Sequence, residues 1–435
     1  MLSRGALSEY GGIPREAKLL VYLSIVPSFA IGFIYTDLSY FLPTVAGIPV
    51  TQAGITITMM GVSLVALSVP LGMVSDRYGR KRMLVIGNLC ASLSLIGFAL
   101  VRNFALLLVV AFVEGAGEAS FAVSVSALMS ERAGDEKRTP AFALLTLVSF
   151  MAGALGAFVI ASLFVFEGLG LSVSEAHTLL YVVIGLLNLS ITPLVFRLRS
   201  DKGGIRREIL PRKSARVVAK YAIYSVIIAT GAGLFVPLMT YWFSVAYGVT
   251  DAVSGPVLGV TNLLTAGAVA LSPRLAGRLG LVNATVLTQA ASTAFMVVVP
   301  LCPTFGIAAS VYLVRTFMMN LSSPLTQSLI MGLVVPEERG MAAGITAALW
   351  RLPNSLSVSV GYAMIGAGFL GLPFYVATVL YVVGIGAYWV MFRKATLPEE
   401  SGNSQSEGAQ PSSVDGPDED RAMSDTRTPT SLTGL

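Results

Sequence analysis

Five ionisable side chains stand inside long apolar runs of this chain: Asp37, Glu114, Glu118, Arg315 and Arg351. Each costs about 2.5–3.5 kcal/mol at the middle of a membrane helix on insertion scales, so each must face a water-filled cavity or another of the five. The three acids can bind and release protons, and together with the two guanidinium groups they can pair with one another or hold a charged solute. Other chemistries find little support. His177 is the only histidine, which argues against a His-based metal site or a buried His triad. Cys90 and Cys302 lie in separate apolar segments, forming neither a disulfide framework nor a metal site. No enzyme, cofactor or metal is implied.

At about 1.5 Å per helical residue, Glu114, Arg315 and Arg351 each lie roughly 14–16 Å from their helix starts. That is near the midplane of a hydrocarbon core about 30 Å thick. Glu118 follows Glu114 by four residues, so the two share a helix face. Asp37 lies farther out on its helix. A carboxylate in such a place feels burial, which disfavours its charge, and a nearby guanidinium, which favours it. Opposed pulls of this kind can make protonation depend on which side of the membrane is open. The alternative for Glu114 and Arg315 is a permanent buried pair that only specifies packing. Arg351 follows Trp350 and precedes Pro353, at an expected helix break. There it could bind solute or bond the carbonyls freed by the proline. Tyr35 and Tyr40 in "YTDLSYF", with Tyr241 and Trp242 in "MTYWF", are candidates for an aromatic cavity wall; for any single ring the alternative is interfacial anchoring or lipid contact.

The elements that position these groups are membrane helices. The chain has 435 residues, 54% of them hydrophobic and 12% charged, with a mean hydropathy of +0.76. A soluble domain carries roughly a quarter charged residues, so there is too little polar surface here for a water-soluble globule. Twelve apolar runs of spanning length, about twenty residues each, follow one another from residue 19 to 392. If the N-terminus is cytoplasmic, every Lys and Arg outside the helices except Arg102 falls on the cytoplasmic side, which sets both termini inside. The net charge of +5 sits in short loops, without the basic face of a nucleic-acid binder.

Five regions are expected: a cytoplasmic segment 1–18, a six-helix half 19–197, a basic linker 198–216, a second half 217–394, and a disordered tail 395–435. The halves repeat at a spacing of 201 residues. "GFIYTDLSYF" overlays "GLFVPLMTYW", "DRYGR" overlays "GRLGL", "DEKRT" overlays "PEERG", and Glu114 overlays Arg315. Six helices separate the copies, so both halves share one orientation in the bilayer.

One loop is dense in charge: "GMVSDRYGRKR", residues 72–82. Gly79 permits a tight turn between the second and third helices. The bases hold that turn on the cytoplasmic side, and Asp76 can accept from Arg77 or Arg80. Gly72, Asp76, Arg77, Gly79, Arg80 and Lys81 match the pattern G-x-x-x-D-R/K-x-G-R-R/K. With two parallel six-helix halves and a basic central linker, the chain resembles the major facilitator superfamily over residues 18–394. The second half keeps a worn copy, "SPRLAGRLG". The resemblance implies an all-α fold of twelve spanning helices in two pseudo-repeats, with the first, fourth, seventh and tenth helices lining a central path. It also implies that the charged loop is a latch between the halves, made when the cytoplasmic side is shut.

The resemblance extends to proton-coupled efflux members, with two departures. Ala111 in "AFVEGAGEAS" stands where many drug antiporters carry an arginine, and "GALGAFVIA" lacks their proline and paired glycines. The expected function is proton-coupled export of small organic molecules by a monomer in the cell membrane. Glu114, Glu118 and Asp37 would carry protons or meet a cationic solute, and Arg315 would act as counter-charge. The alternative is a proton-driven importer of an organic anion or sugar, held by Arg315 and Arg351. A non-transporting membrane scaffold has no need of midplane charge, and no G-x-x-x-x-G-K-[ST] supports an ATP-driven pump.

Overall fold

A computed structural model of the chain describes residues 12–198, 214–335 and 338–395. Residues 1–11, most of the expected linker (199–213), the expected tail and Glu337 of the repeat lie outside the described residues. No strand occurs among those described. Twelve helical rods follow one another: α1 Arg15–Val45, α2 Val50–Tyr78, α3 Arg80–Leu100, α4 Phe104–Gly134, α5 Glu136–Gly168, α6 Val173–Val195, α7 Ala215–Tyr247, α8 Asp251–Leu279, α9 Leu281–Leu301 and α12 Leu372–Phe392, with α10 Phe305–Leu333 and α11 Arg339–Gly366 between α9 and α12. The first ten named are long and apolar enough to cross a membrane. The other two carry Arg315 and Arg351, together with Asn320, Asn354 and several serines. In hydrocarbon every backbone polar group needs a partner within the segment, which selects helices.

The repeat is visible in the backbone. α2 and α8 begin and end 201 residues apart, as do α3 and α9, and α4 and α10 start at the same spacing. The turns match too. Gly47 and Gly248 have φ of 69° and 68°, and Gly79 and Gly280 have φ of 102° and 74°. At Gly79 one residue reverses the chain, from the end of α2 to the start of α3; a side chain there would be strained.

Several rods are interrupted, among them α1 and α7, and α11 is not. α1 breaks at Ser24, whose hydroxyl donates to the Leu20 carbonyl at 2.8 Å, and closes in a wide turn over Phe41–Val45 around Pro43. α7 narrows at Val236–Leu238 around Pro237. α11 runs unbroken through Pro353, contrary to the break expected beside Arg351.

Each half packs through close backbone contacts. A Cβ at Gly32 of α1 would overlap the Gly153 carbonyl of α5, and one at Gly233 of α7 would overlap the Asn354 carbonyl of α11. These are equivalent helices of the two halves. Small residues let membrane helices approach in this way. The halves meet where α2 faces α11, α5 faces α8, and α1 faces α7. The hydrogen bonds named across that interface gather toward the end bearing the Gly248 turn. Thr58 donates to the Ser355 carbonyl at 2.9 Å, Thr240 to the Thr36 carbonyl at 2.6 Å and Tyr362 to the Ser39 carbonyl at 2.6 Å.

Candidate functional site

Glu118 is the point where three helices converge. Its Oε2 accepts from the Tyr35 hydroxyl at 2.7 Å and its Oε1 from Arg351 Nη1 at 3.2 Å. Tyr35 comes from α1, Glu118 from α4 and Arg351 from α11, so the group bridges the halves. The Glu118 side chain is 9% exposed and that of Arg351 51%. One end of the pair is packed and the other is half exposed. Arg351 therefore bonds a carboxylate; the carbonyls near Pro353 take their bonds from Ser355 and Ser357 hydroxyls.

Glu114 sits one turn away and points elsewhere. It is buried, beside Ser94 and Cys90 of α3. Together with Glu118 it lines a small cavity of about 20 Å³ with Asn88, Asn188, Pro27 and Phe121. That is room for about one water. The cavity lies inside the first half, walled by α1, α3, α4 and α6, and of these lining residues Glu118 also bonds across the interface between halves.

Arg315 is not the partner of Glu114. Its Nη2 donates to the Tyr381 hydroxyl at 2.9 Å. Its guanidinium lies 4.9 Å from the Phe235 ring centroid and 5.5 Å from that of Tyr381. It is 3% exposed, and among the described residues no carboxylate stands within ion-pair distance of it. Aromatic faces stabilise the buried cation in the place of an acid. The permanent Glu114–Arg315 pair weighed from the sequence is thus absent, and the two residues occupy equivalent positions with separate surroundings.

Asp37 also departs from expectation. It makes no contact with Glu118 or Arg351 and instead joins His177 and Asp251. His177 Nε2 lies 2.8 Å from Asp251 Oδ2 and 4.0 Å from Asp37 Oδ1. The ring's Nδ1 meets the Val173 carbonyl at 2.7 Å. All three side chains are buried. A buried His triad therefore exists despite there being a single histidine. Sequence reasoning set His177 aside as solitary and did not single out Asp251. The available signal was position: Asp37 lies in the C-terminal part of α1, and His177 and Asp251 lie near the starts of α6 and α8, which in an up-and-down array of helices is one side of the membrane.

The charged turn is held within the first half. Asp76 Oδ1 accepts from Arg80 Nε at 3.0 Å and Nη2 at 2.8 Å. Arg80 also pairs with Glu131 at the end of α4. Lys81 caps the Phe196 and Leu198 carbonyls at 2.8 and 2.7 Å, and Arg77 lies 5.6 Å over the Tyr78 ring. Among the described residues no ion pair joins Asp76 to the second half. Gly72 faces Val123 of α4, where a Cβ would come to 3.3 Å.

The aromatic residues divide. Tyr35 belongs to the Glu118 group. Tyr241 packs at a tilt against Tyr362 with centroids 5.2 Å apart, near the Asp37 end of the interface. Trp242 is wholly buried against Phe374, Phe243 and Tyr247, and its Nε1 donates to the Leu370 carbonyl at 2.8 Å. Trp242 packs the second half.

A sequence profile described as Major Facilitator Superfamily matches residues 20–358. Solved structures share the fold. The crystal structure of the nucleoside transporter NupG is similar at a TM-score of 0.70 and 13% identity, covering 88% of this chain and all of NupG. A bacterial homologue of the human lysosomal transporter Spinster is similar in two inward-facing forms. The unoccupied form gives a TM-score of 0.72 at 12% identity, covering 86% of this chain and 96% of the other. The occupied form gives 0.73 at 12% identity, covering 87% and 96%.

Proposed function

The chain belongs to the major facilitator superfamily, and from that premise we propose that it exports small, partly hydrophobic organic solutes in exchange for protons. The observation that carries this reading is the Glu118 group. Arg351 of the second half neutralises Glu118 of the first only while the halves are close. A proton can take over that neutralising role when they part. Glu118 thus exchanges one positive partner for another as the interface moves, which links a proton to a change of state. Tyr35 holds the carboxylate in place through either condition. Glu114, one turn away, reaches Glu118 through a cavity of one water's size. Under the positive-inside orientation, the end bearing Gly79 and Asp76 is cytoplasmic and the end bearing Gly248 is external. The charged turn then holds Asp76 within its own half, in keeping with a protein open on the cytoplasmic side.

A second reading rests on Arg315. A buried guanidinium with aromatic neighbours and no described acid partner is suited to an anionic group. It supports a proton-driven importer of an organic anion or sugar. The two readings differ in the charge of the solute that moves protons.

Inverted membrane vesicles with an imposed proton gradient test both. Wild type and Glu118→Gln are compared as lipophilic cations, neutral compounds and organic anions are added. The export reading expects a lipophilic cation to dissipate the gradient in wild type and not in the variant. Proton movement evoked by anions alone transfers the assignment to the Arg315 reading. No proton movement with any solute in folded, inserted protein removes proton coupling from both.

A further inference from the structure

We propose that Asp37, His177 and Asp251 form a second proton-binding site, separate from Glu118, which latches the two halves together at the Gly248 end. The proposal rests on alternating access but not on the identity of the solute or on the role of Glu118.

The hydrogen-bond geometry fixes where one proton must be. A carbonyl only accepts, so the 2.7 Å contact of His177 Nδ1 with the Val173 carbonyl places a hydrogen on Nδ1. The opposite nitrogen lies 2.8 Å from Asp251 Oδ2. Two lone pairs do not face each other at that distance, so a proton lies between them. The pair therefore holds one more proton than a neutral imidazole and a carboxylate would.

Asp37 supplies the second observation. It is 0% exposed, and neither of its carboxylate oxygens has a hydrogen-bond partner. Its Oδ1 is nevertheless 4.0 Å from the imidazole. Two carboxylates against one imidazolium leave the cluster one positive charge short. A dry site does not tolerate that deficit, and a proton on Asp37 removes it. The surroundings exclude water. Phe41 and Tyr40 stack over the imidazole with centroids 5.8 and 6.3 Å away. The other titratable or charged groups facing the cluster are Tyr40 of α1, Tyr181 of α6 and Tyr362 of α11, with Glu167 of α5 beyond Tyr40. Arg102 lies 5.5 Å from the Phe41 ring.

The chain's connectivity turns this into a latch. Asp37 and His177 belong to the first half and Asp251 to the second. Opening that end must part His177 from Asp251 and bring both to water. The protons held in the closed state then equilibrate with the compartment on that side. Closing requires them back, because the carboxylates cannot be buried together unneutralised.

The single histidine makes the test direct. The full chain, with an affinity tag free of histidine, is prepared with isotope-labelled histidine in liposomes, and the one imidazole is read by solid-state NMR. At neutral pH both ring nitrogens are expected to carry protons; in Asp251→Asn the ring is expected to become neutral, and in Asp251→Glu to stay charged. A neutral ring in wild type overturns the proposal. A second readout uses Ser254→Cys, one turn along α8 and buried, in a background lacking Cys90 and Cys302. Labelling by an impermeant maleimide is expected to rise several-fold when Asp251→Asn is added, and unchanged labelling overturns the latch. Zinc binding that displaces the ring proton at micromolar concentration would replace the proton by a metal and also overturn it. None of these readouts requires transport. A charged ring with no proton-linked flux leaves the latch standing while the export reading falls, and a neutral ring with intact flux does the reverse.

Discussion

Arg351 and Glu118 lie 233 positions apart in the chain and meet at 3.2 Å across the interface between its halves. Glu118→Gln keeps the Tyr35 contact and removes the charge. Proton-linked flux is expected to fall at least tenfold, while solute-driven exchange without a gradient survives. Removing one partner of a fully buried pair costs about 3–5 kcal/mol. Here the Arg351 side chain is half exposed, so a smaller cost of about 1–2 kcal/mol is expected. The double variant Glu118→Gln/Arg351→Gln is expected to regain part of that stability without regaining coupling. Thermal unfolding in detergent and vesicle flux, measured on wild type, Glu118→Gln, Arg351→Gln and the double variant, check both halves of the statement. Equal flux in wild type and Glu118→Gln would reject the coupling role.

Arg315 tests a different point. Its guanidinium is stacked near two rings and bonded to the Tyr381 hydroxyl. Lysine keeps the charge and loses the planar group. Arg315→Lys is therefore expected to destabilise by about 1–2 kcal/mol through lost stacking and hydrogen bonding. Tyr381→Phe keeps the ring and loses only the acceptor, at about 1 kcal/mol. If Arg315 holds an anionic solute, Arg315→Lys also weakens that solute's binding while Tyr381→Phe does not. A thermal-shift series with organic anions separates the two effects.

The fold was legible because membrane helices announce themselves twice, by length of apolar run and by the placement of bases. The spacing of 201 residues was legible for the same reason, since Gly79 and Gly280 recur where the backbone needs positive φ. Site residues were legible as types, but their partners were not. Glu114 and Glu118 share a helix face in the sequence, yet one turn changes the neighbour from α3 to α11. Equivalent positions in the repeat suggested Glu114 with Arg315, but equivalence under an axis between the halves does not imply contact. Asp37, His177 and Asp251 come from three helices whose ends meet only after folding. Trp242 looked available to a cavity because an aromatic near a charge reads the same in sequence whether it lines space or fills it.

Gly79 is expected to tolerate no side chain without cost. Its φ of 102° and ψ of 128° lie outside the regions open to L-residues. Gly79→Ala is expected to destabilise the α2–α3 turn by about 1–3 kcal/mol. Because Arg80 is the next residue, the turn also aims the Arg80 guanidinium at Asp76 and Glu131. The variant is thus expected to transport more slowly than its stability loss explains. Asp76→Asn provides the comparison, since it weakens the same contact and leaves the turn intact. Matching transport defects with different melting temperatures are the expected result.

Gly61 of α2 lies against Ser355 of α11, so close that a Cβ would overlap the serine side chain. Ser355 also receives the Thr58 hydroxyl on its carbonyl, so the two helices are in register as well as in contact. A larger side chain at Gly61 must therefore displace α11 or part the halves. An alanine methyl meets both the Oγ and the Cβ of Ser355, and rotation of the hydroxyl relieves only the first, so Gly61→Ala also loads the contact, less than leucine does. Leucine has no such accommodation, and overpacking a closed contact costs about 1–3 kcal/mol. That cost falls only on the state in which α2 and α11 touch. It does not fall on a state open at the Gly248 end, where the contact is absent. Gly61→Leu is therefore expected to shift the population toward that open state by about 5- to 150-fold, since about 1.4 kcal/mol is a factor of ten. Labelling of Ser254→Cys by an impermeant maleimide should rise accordingly, with Gly61→Ala between wild type and Gly61→Leu. Unchanged labelling in well-folded Gly61→Leu would mean that α11 yields locally and that this contact does not separate during transport.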